Sequence, residues 1–178
     1  MKPAIVLLTG LPCCGKTTLA KKLRMKLVIE GFSPSKIIDG DTFREGLCSD
    51  LGFSPEDRAE NLRRVAEVAK LFLEENNGVI IAAIAPAEKD REMIKKIVGK
   101  NNLFLVYVNC SLEECERRDV KGMYKKARAG EIKDFTGVSA EYEAPRNANL
   151  MIETTDADIE ECTELMSYAL QIWDDKRN

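Results

Sequence analysis

A chain of 178 residues, 44% hydrophobic and 32% charged, can build the core of one ordinary domain, which excludes intrinsic disorder and low-complexity architecture for the whole. A formal net charge of −3 and an aromatic content of 6% exclude a general nucleic-acid binder, which needs a basic face and stacking platforms. Because histidine is absent, Ser-His-Asp triads, Cys-His pairs and His-ligated metals are excluded as well. The six cysteines, Cys13, Cys14, Cys48, Cys110, Cys115 and Cys162, contain no CxxC spacing, and the opening run into a glycine loop does not read as a signal peptide. The cysteines read as reduced thiols of a cytoplasmic protein. The longest apolar runs, residues 4–8 and 79–84, are strand-sized and far too short to span a bilayer.

In chain order, residues 4–8 read as a buried strand and residues 16–30 as a helix, with Leu19, Leu23 and Leu27 spaced by four. Residues 36–38 form a short strand that ends in Asp39-Gly40-Asp41. Residues 55–75 are helical, carrying Leu62, Val65, Val68, Ala69 and Phe72 on one face. A third strand at 79–84 precedes a helix at 88–98, and a fourth at 103–108 precedes a helix from 112 to about 118. Residues 119–147 are charged and punctuated by glycine, with little apolar periodicity; so long a segment in a compact domain reads as a lid. A fifth strand at 150–153 and a helix at 158–173 close the chain. Strands that are apolar throughout and alternate with helices imply a mostly parallel five-stranded sheet covered on both faces, with ligands at the carboxyl ends of the strands.

The first loop carries the chemistry. Gly10, Leu11, Pro12, Cys13, Cys14, Gly15, Lys16 and Thr17 match G-x-x-x-x-G-K-[ST] between an expected strand and an expected helix, the context the motif requires. Glycine lets the backbone curl so that its N–H groups converge on phosphate oxygens beside the positive end of the helix. Lys16 is expected to reach the β- and γ-phosphates of ATP and the Thr17 hydroxyl to ligate Mg²⁺, with Thr18 completing the nucleotide site. The expected fold is therefore a three-layer α/β domain of P-loop NTPase type spanning 1–178, with a mobile lid at about 119–147. Asp41 can accept a proton from an attacking hydroxyl or hold hydrated Mg²⁺, and Asp39 could take the second task. A pair of helix-capping aspartates ahead of Arg44 is the plainer alternative. Arg44, Arg58 and Asn61 supply guanidinium forks and an amide suited to the anionic groups and the ribose or base edge of a nucleotide.

Beyond the loop, the run Asp39-Gly40-Asp41-Thr42-Phe43-Arg44-Glu45-Gly46-Leu47, then Asp50-Leu51-Gly52-Phe53, Asp57-Arg58 and Glu60-Asn61-Leu62-Arg63-Arg64, closely resembles the adenylylsulfate kinase family. The resemblance resumes at Asp119-Val120-Lys121-Gly122-Met123-Tyr124 and at Phe135-Thr136-Gly137 and Tyr142-Glu143-Ala144-Pro145, so it covers nearly the whole chain in order. It implies ATP- and Mg²⁺-dependent phosphorylation of the ribose 3′-hydroxyl of adenosine 5′-phosphosulfate, as a step of sulfate assimilation. Lys16, Asp41 and Arg44 would be catalytic, and Asp41, Arg44, Arg58 and Asn61 would face the acceptor. Phe53 and Phe135, which as isolated phenylalanines would more often read as core, would sandwich its adenine. Lys121 and Arg128 would bring positive charge on lid closure; Arg63, Arg64, Arg117 and Arg118 read as readily as solvated helix faces. The implied partners are the small nucleotide and a second copy of the chain, with no nucleic acid and no membrane.

The chain departs from the family in one segment. The usual Ile-Ser-Pro followed by an aromatic residue is here Ile84-Ala85-Pro86-Ala87-Glu88, and Thr42 and Cys48 stand where asparagines are usual. Ala85 has no hydroxyl, so no phosphoenzyme can form there. Ala87 and Glu88 remove bulk and add negative charge, which keeps open another acceptor such as cytidine diphosphoramidate.

Overall fold

The computed structural model describes residues 1–32 and 36–177. Strands β1 (Ile5–Thr9), β2 (Lys36–Asp39), β3 (Val79–Ala82), β4 (Leu103–Asn109) and β5 (Leu150–Glu153) form one sheet in the order β2-β3-β1-β4-β5. Every pairing is parallel, where the sequence implied mostly parallel. The helices are α1 (Lys16–Ile29), α2 (Gly40–Glu45), α3 (Pro55–Glu74), α4 (Glu88–Val98), α5 (Leu112–Arg118), α6 (Met123–Arg128) and α7 (Ile159–Lys176).

Side-chain alternation along β1 divides the core in two. Val6 and Leu8 point into a cluster with Leu19, Leu23 and Leu27 of α1 and Met166 and Leu170 of α7. Ile5 and Leu7 point the other way, toward Leu62 and Val65 of α3 and Ile94 of α4. This is the period-two geometry of a strand buried on both faces, and it fixes the register of the central strand. The longer helices begin on side-chain caps. Ser54 accepts from the Asp57 amide at 3.1 Å ahead of α3, whose first residue is Pro55, and Asp158 accepts from the Glu160 amide at 2.6 Å ahead of α7.

Three differences from the sequence reading each have a physical reason. The apolar run at 79–84 stops being a strand at Ala82, and the chain then turns at Ala85, a buried non-glycine residue held at φ 42°. Helix α2, unforeseen, is only six residues long and starts on Asp39, whose carboxylate accepts from the Asp41 amide at 3.0 Å. Helix α6, also six residues, is anchored by Asp119, which accepts from the Tyr124 and Lys125 amides at 3.0 Å each, and by the burial of Tyr124 and Ala127. Among the described residues no helix is long and apolar enough to cross a membrane, and all six cysteines are free.

Candidate active site

The loop from Gly10 to Thr17 leaves the carboxyl end of β1 and enters α1, as the motif requires. Gly10 has φ 155° and Gly15 φ 102°, so the curl uses backbone conformations that side chains rarely adopt. At Gly10 the constraint is also steric: an added Cβ would lie 2.3 Å from the Val108 carbonyl oxygen and 2.7 Å from Cys14 Sγ. Gly10→Ala must therefore push the loop off β4. A loss of about 1–3 kcal/mol is expected, read as a lowered midpoint of thermal unfolding; an unchanged midpoint would show that the approach to β4 is not tight.

Lys16 lays its ammonium across the mouth of the loop, donating to the carbonyls of Gly10 (3.0 Å) and Leu11 (2.6 Å). Thr17 Oγ1 donates to Asp39 Oδ2 at 2.7 Å, while Asp39 Oδ1 caps α2. The capping alternative is thus true of Asp39 and compatible with the other: one carboxylate oxygen holds the helix and the second sits on the Thr17 hydroxyl. Asp41 caps nothing. Its Oδ2 instead receives Lys121 Nζ at 2.6 Å, a bond that spans 80 residues and pushes the lysine's affinity for its proton up. That ion pair ties segment 119–147 to the end of β2.

The arginines gather around Phe53, whose ring is 59% exposed. The Arg44 guanidinium lies 4.6 Å from the ring centroid and donates to the Gly52 carbonyl at 2.6 Å. Arg58 lies 6.0 Å from the same centroid, donates to the Phe53 carbonyl at 2.9 Å and to Thr136 Oγ1 at 2.9 Å, and also bonds the Asp134 carbonyl. Together they form a cationic wall beside an aromatic face, which suits an anionic nucleotide. Asn61 is buried and its Oδ1 has no hydrogen-bond partner among the described residues. Such an orphan acceptor is the group a ligand donor would satisfy.

Phe135 does not mirror Phe53. It is 8% exposed and packs edge-on against Tyr124, with ring centroids 5.0 Å apart, while its neighbours Asp134 and Thr136 line the cleft that Phe53 opens. The outer arginines also turn away: Arg128 pairs with Glu116, Arg117 with Glu114, Arg118 with Glu114 and the Thr154 carbonyl, and Arg63 and Arg64 with Glu60.

The cleft beside Phe53 has a volume of about 260 Å³, and Pro86 and Ala87 of the altered segment line it. No local motif signals what holds this segment in place. Arg91, 2% exposed, donates to the Ala85 carbonyl at 2.7 Å, to Glu88 Oε2 at 2.6 Å and to the Glu143 carbonyl at 2.7 Å. Glu143 returns the tie, its amide donating to the Pro86 carbonyl (2.9 Å) and its carboxylate accepting from the Glu88 amide (2.8 Å). Tyr142 lies over the Arg91 guanidinium and meets the Thr9 hydroxyl at 3.0 Å, one residue before the phosphate loop. An Asp-Arg pair on a helix reads as solvated surface, and only the tertiary packing reveals this bolt.

A parallel α/β sheet, a phosphate loop at the end of its central strand and two acidic residues at the end of β2 define a P-loop phosphotransferase. The model of the family "Adenylylsulphate kinase" matches residues 2–153, and the chain belongs to that family. An adenylyl-sulfate kinase of Prochlorococcus marinus is 49% identical over 163 residues, 92% of this chain and 81% of that protein. One from Shewanella amazonensis is 48% identical over 168 residues, 94% and 84% of the two chains. Among solved structures, the Mycobacterium tuberculosis APS kinase CysC in complex with AMPPNP and APS superposes with a TM-score of 0.91 at 40% identity, covering 96% of this chain and 98% of that one.

Proposed function

We propose that this protein transfers the γ-phosphoryl group of ATP to the 3′-hydroxyl of adenosine 5′-phosphosulfate, giving 3′-phosphoadenylyl sulfate and ADP in sulfate assimilation. One observation carries the reading: in a chain of this family, the Asp41–Lys121 ion pair and the Arg44–Phe53–Arg58 cluster stand beside an intact phosphate loop. The loop amides and Lys16 cradle the donor phosphates, and Lys16 offsets charge on the β- and γ-oxygens. Asp41 takes the proton of the attacking hydroxyl, and Lys121 orients that carboxylate. Arg44 and Arg58 hold the phosphosulfate, Phe53 offers a face to the adenine, and Asn61 meets a ribose or base donor. Segment 119–147, joined to Asp41 through Lys121, acts as the lid.

Thr17 and Asp39 bring a hydroxyl and a carboxylate together, the hard-oxygen set that Mg²⁺ uses when phosphates complete its shell. When bound, Mg²⁺ would supply charge neutralisation at the phosphates. With Ala85 in place of a serine, transfer passes directly from donor to acceptor. Six free thiols fit work in the reducing cytoplasm, and a homodimer is the assembly we expect.

The experiment supplies ATP and Mg²⁺ with adenylyl sulfate, with cytidine diphosphoramidate or with neither, follows ADP release and identifies the product by mass. Turnover with adenylyl sulfate alone is expected; turnover with the cytidine conjugate alone overturns the acceptor. Phe53→Ala should weaken use of adenylyl sulfate by about 5- to 150-fold, the worth of one base–aromatic stack, while leaving ATP affinity unchanged. The reverse pattern would exchange the two pockets. Phe135→Ala is a poorer test, because Phe135 also packs on Tyr124 in the core.

A further inference from the structure

Asp90 sits in the first turn of α4, lines the cleft beside Phe53, and is 5% exposed. No other acidic residue of that wall is both buried and free. Glu88 is paired with Arg91, Glu143 accepts from the Glu88 amide, and Glu141 and Asp134 are exposed to solvent. The Asp90 carboxylate accepts no hydrogen bond among the described residues, and Arg91, next in sequence, donates instead to Ala85, Glu88 and Glu143. Burial raises its proton affinity and Glu143 adds to the effect, against Lys89 and Arg91. A carboxylate on a residue almost wholly buried, with no protein donor and its oxygens still accessible, is an acceptor open to a hydrogen-bond donor on a ligand in the cleft. Phe53, Asp134 and Thr136 line the same cleft, so a base stacked on Phe53 lies in the space that Asp90 borders. Ala87, also lining the cleft, leaves room for that base.

We infer that Asp90 is a specificity-determining residue that reads the exocyclic amine of the acceptor base, selecting a 6-amino purine over a 6-keto purine. This rests on the acceptor assigned above. A base with an amine donates to the carboxylate, whereas a base with a keto oxygen sets acceptor against acceptor. Asparagine at this position could turn its amide to meet either edge.

The test compares adenosine 5′-phosphosulfate with inosine 5′-phosphosulfate as acceptors for the wild-type chain and for D90N, measuring kcat/KM for each. The wild-type chain should prefer the adenosine acceptor by at least about tenfold, the scale of a hydrogen bond to a charged group. In D90N the two values should converge, the adenosine acceptor losing and the inosine acceptor gaining. A structural role for Asp90 would instead lower both by the same factor and leave their ratio alone, and that result overturns the inference. So does a wild-type chain that uses both acceptors equally, a result that needs no variant to fold. If wild-type chain releases no ADP with adenosine 5′-phosphosulfate, the assigned acceptor and the inference fall together; turnover with a ratio near one removes only the inference.

Discussion

Lys16→Ala should lower the rate of ADP formation by about 10²–10³, the usual cost of removing one preorganised electrostatic stabiliser. The backbone of the loop is held independently of this side chain: Gly10 is pinned against β4, and the Cys14 carbonyl is bonded by Thr154 Oγ1 at 3.0 Å. The amide cradle therefore survives the substitution and only the cation is lost. The ammonium's bonds to the Gly10 and Leu11 carbonyls stabilise the loop mouth but are partly exposed, so the variant should fold with a near-normal unfolding midpoint. Steady-state kinetics and thermal unfolding on the same preparation separate the effects. Turnover within a few-fold of wild type would show that the loop does not hold the transferred phosphate.

Asp41→Asn should cut kcat by about 10²–10⁴, the range for a positioned general base, and change acceptor affinity far less. The amide preserves shape and can still contact Lys121, but it cannot take a proton. The Asp41–Lys121 pair is exposed on both sides, so little stability goes with it. A KM increase with kcat untouched would assign Asp41 to binding instead.

Much of this was legible in the sequence because it is local. The phosphate loop is eight consecutive residues whose conformation glycine dictates, and the leucines of α1 and the apolar runs of β1 and β4 declare their faces by spacing alone. What escaped depends on contacts across the chain. Helices α2 and α6 are too short to show a period and exist through Asp39 and Asp119 acting as caps. The end of β3 was misjudged because Ile84 continues an apolar run, while the turn at Ala85 is held by Arg91 from the next helix. The motif alone does not say which way Phe135 turns; in the folded segment its ring packs edge-on against Tyr124. The family resemblance named Lys121; only the structure shows which carboxylate it meets.

The parallel ladder between β2 and β3 sets Asp39 opposite Ala82, and the ladder between β1 and β3 sets Leu8 opposite the same residue. Donor loop and acidic pair are therefore levelled against one shared strand rather than against each other. Residues along a strand are about 3.3 Å apart and alternate in face, so a slip of one place in either ladder would carry Asp39 away from Thr17 and aim it across the sheet. The alignment of the two reacting partners is thus a main-chain property, graduated in whole-residue steps. Side chains around the cleft can drift and acceptor preference with them, while an insertion or deletion within these three strands would break the alignment at once.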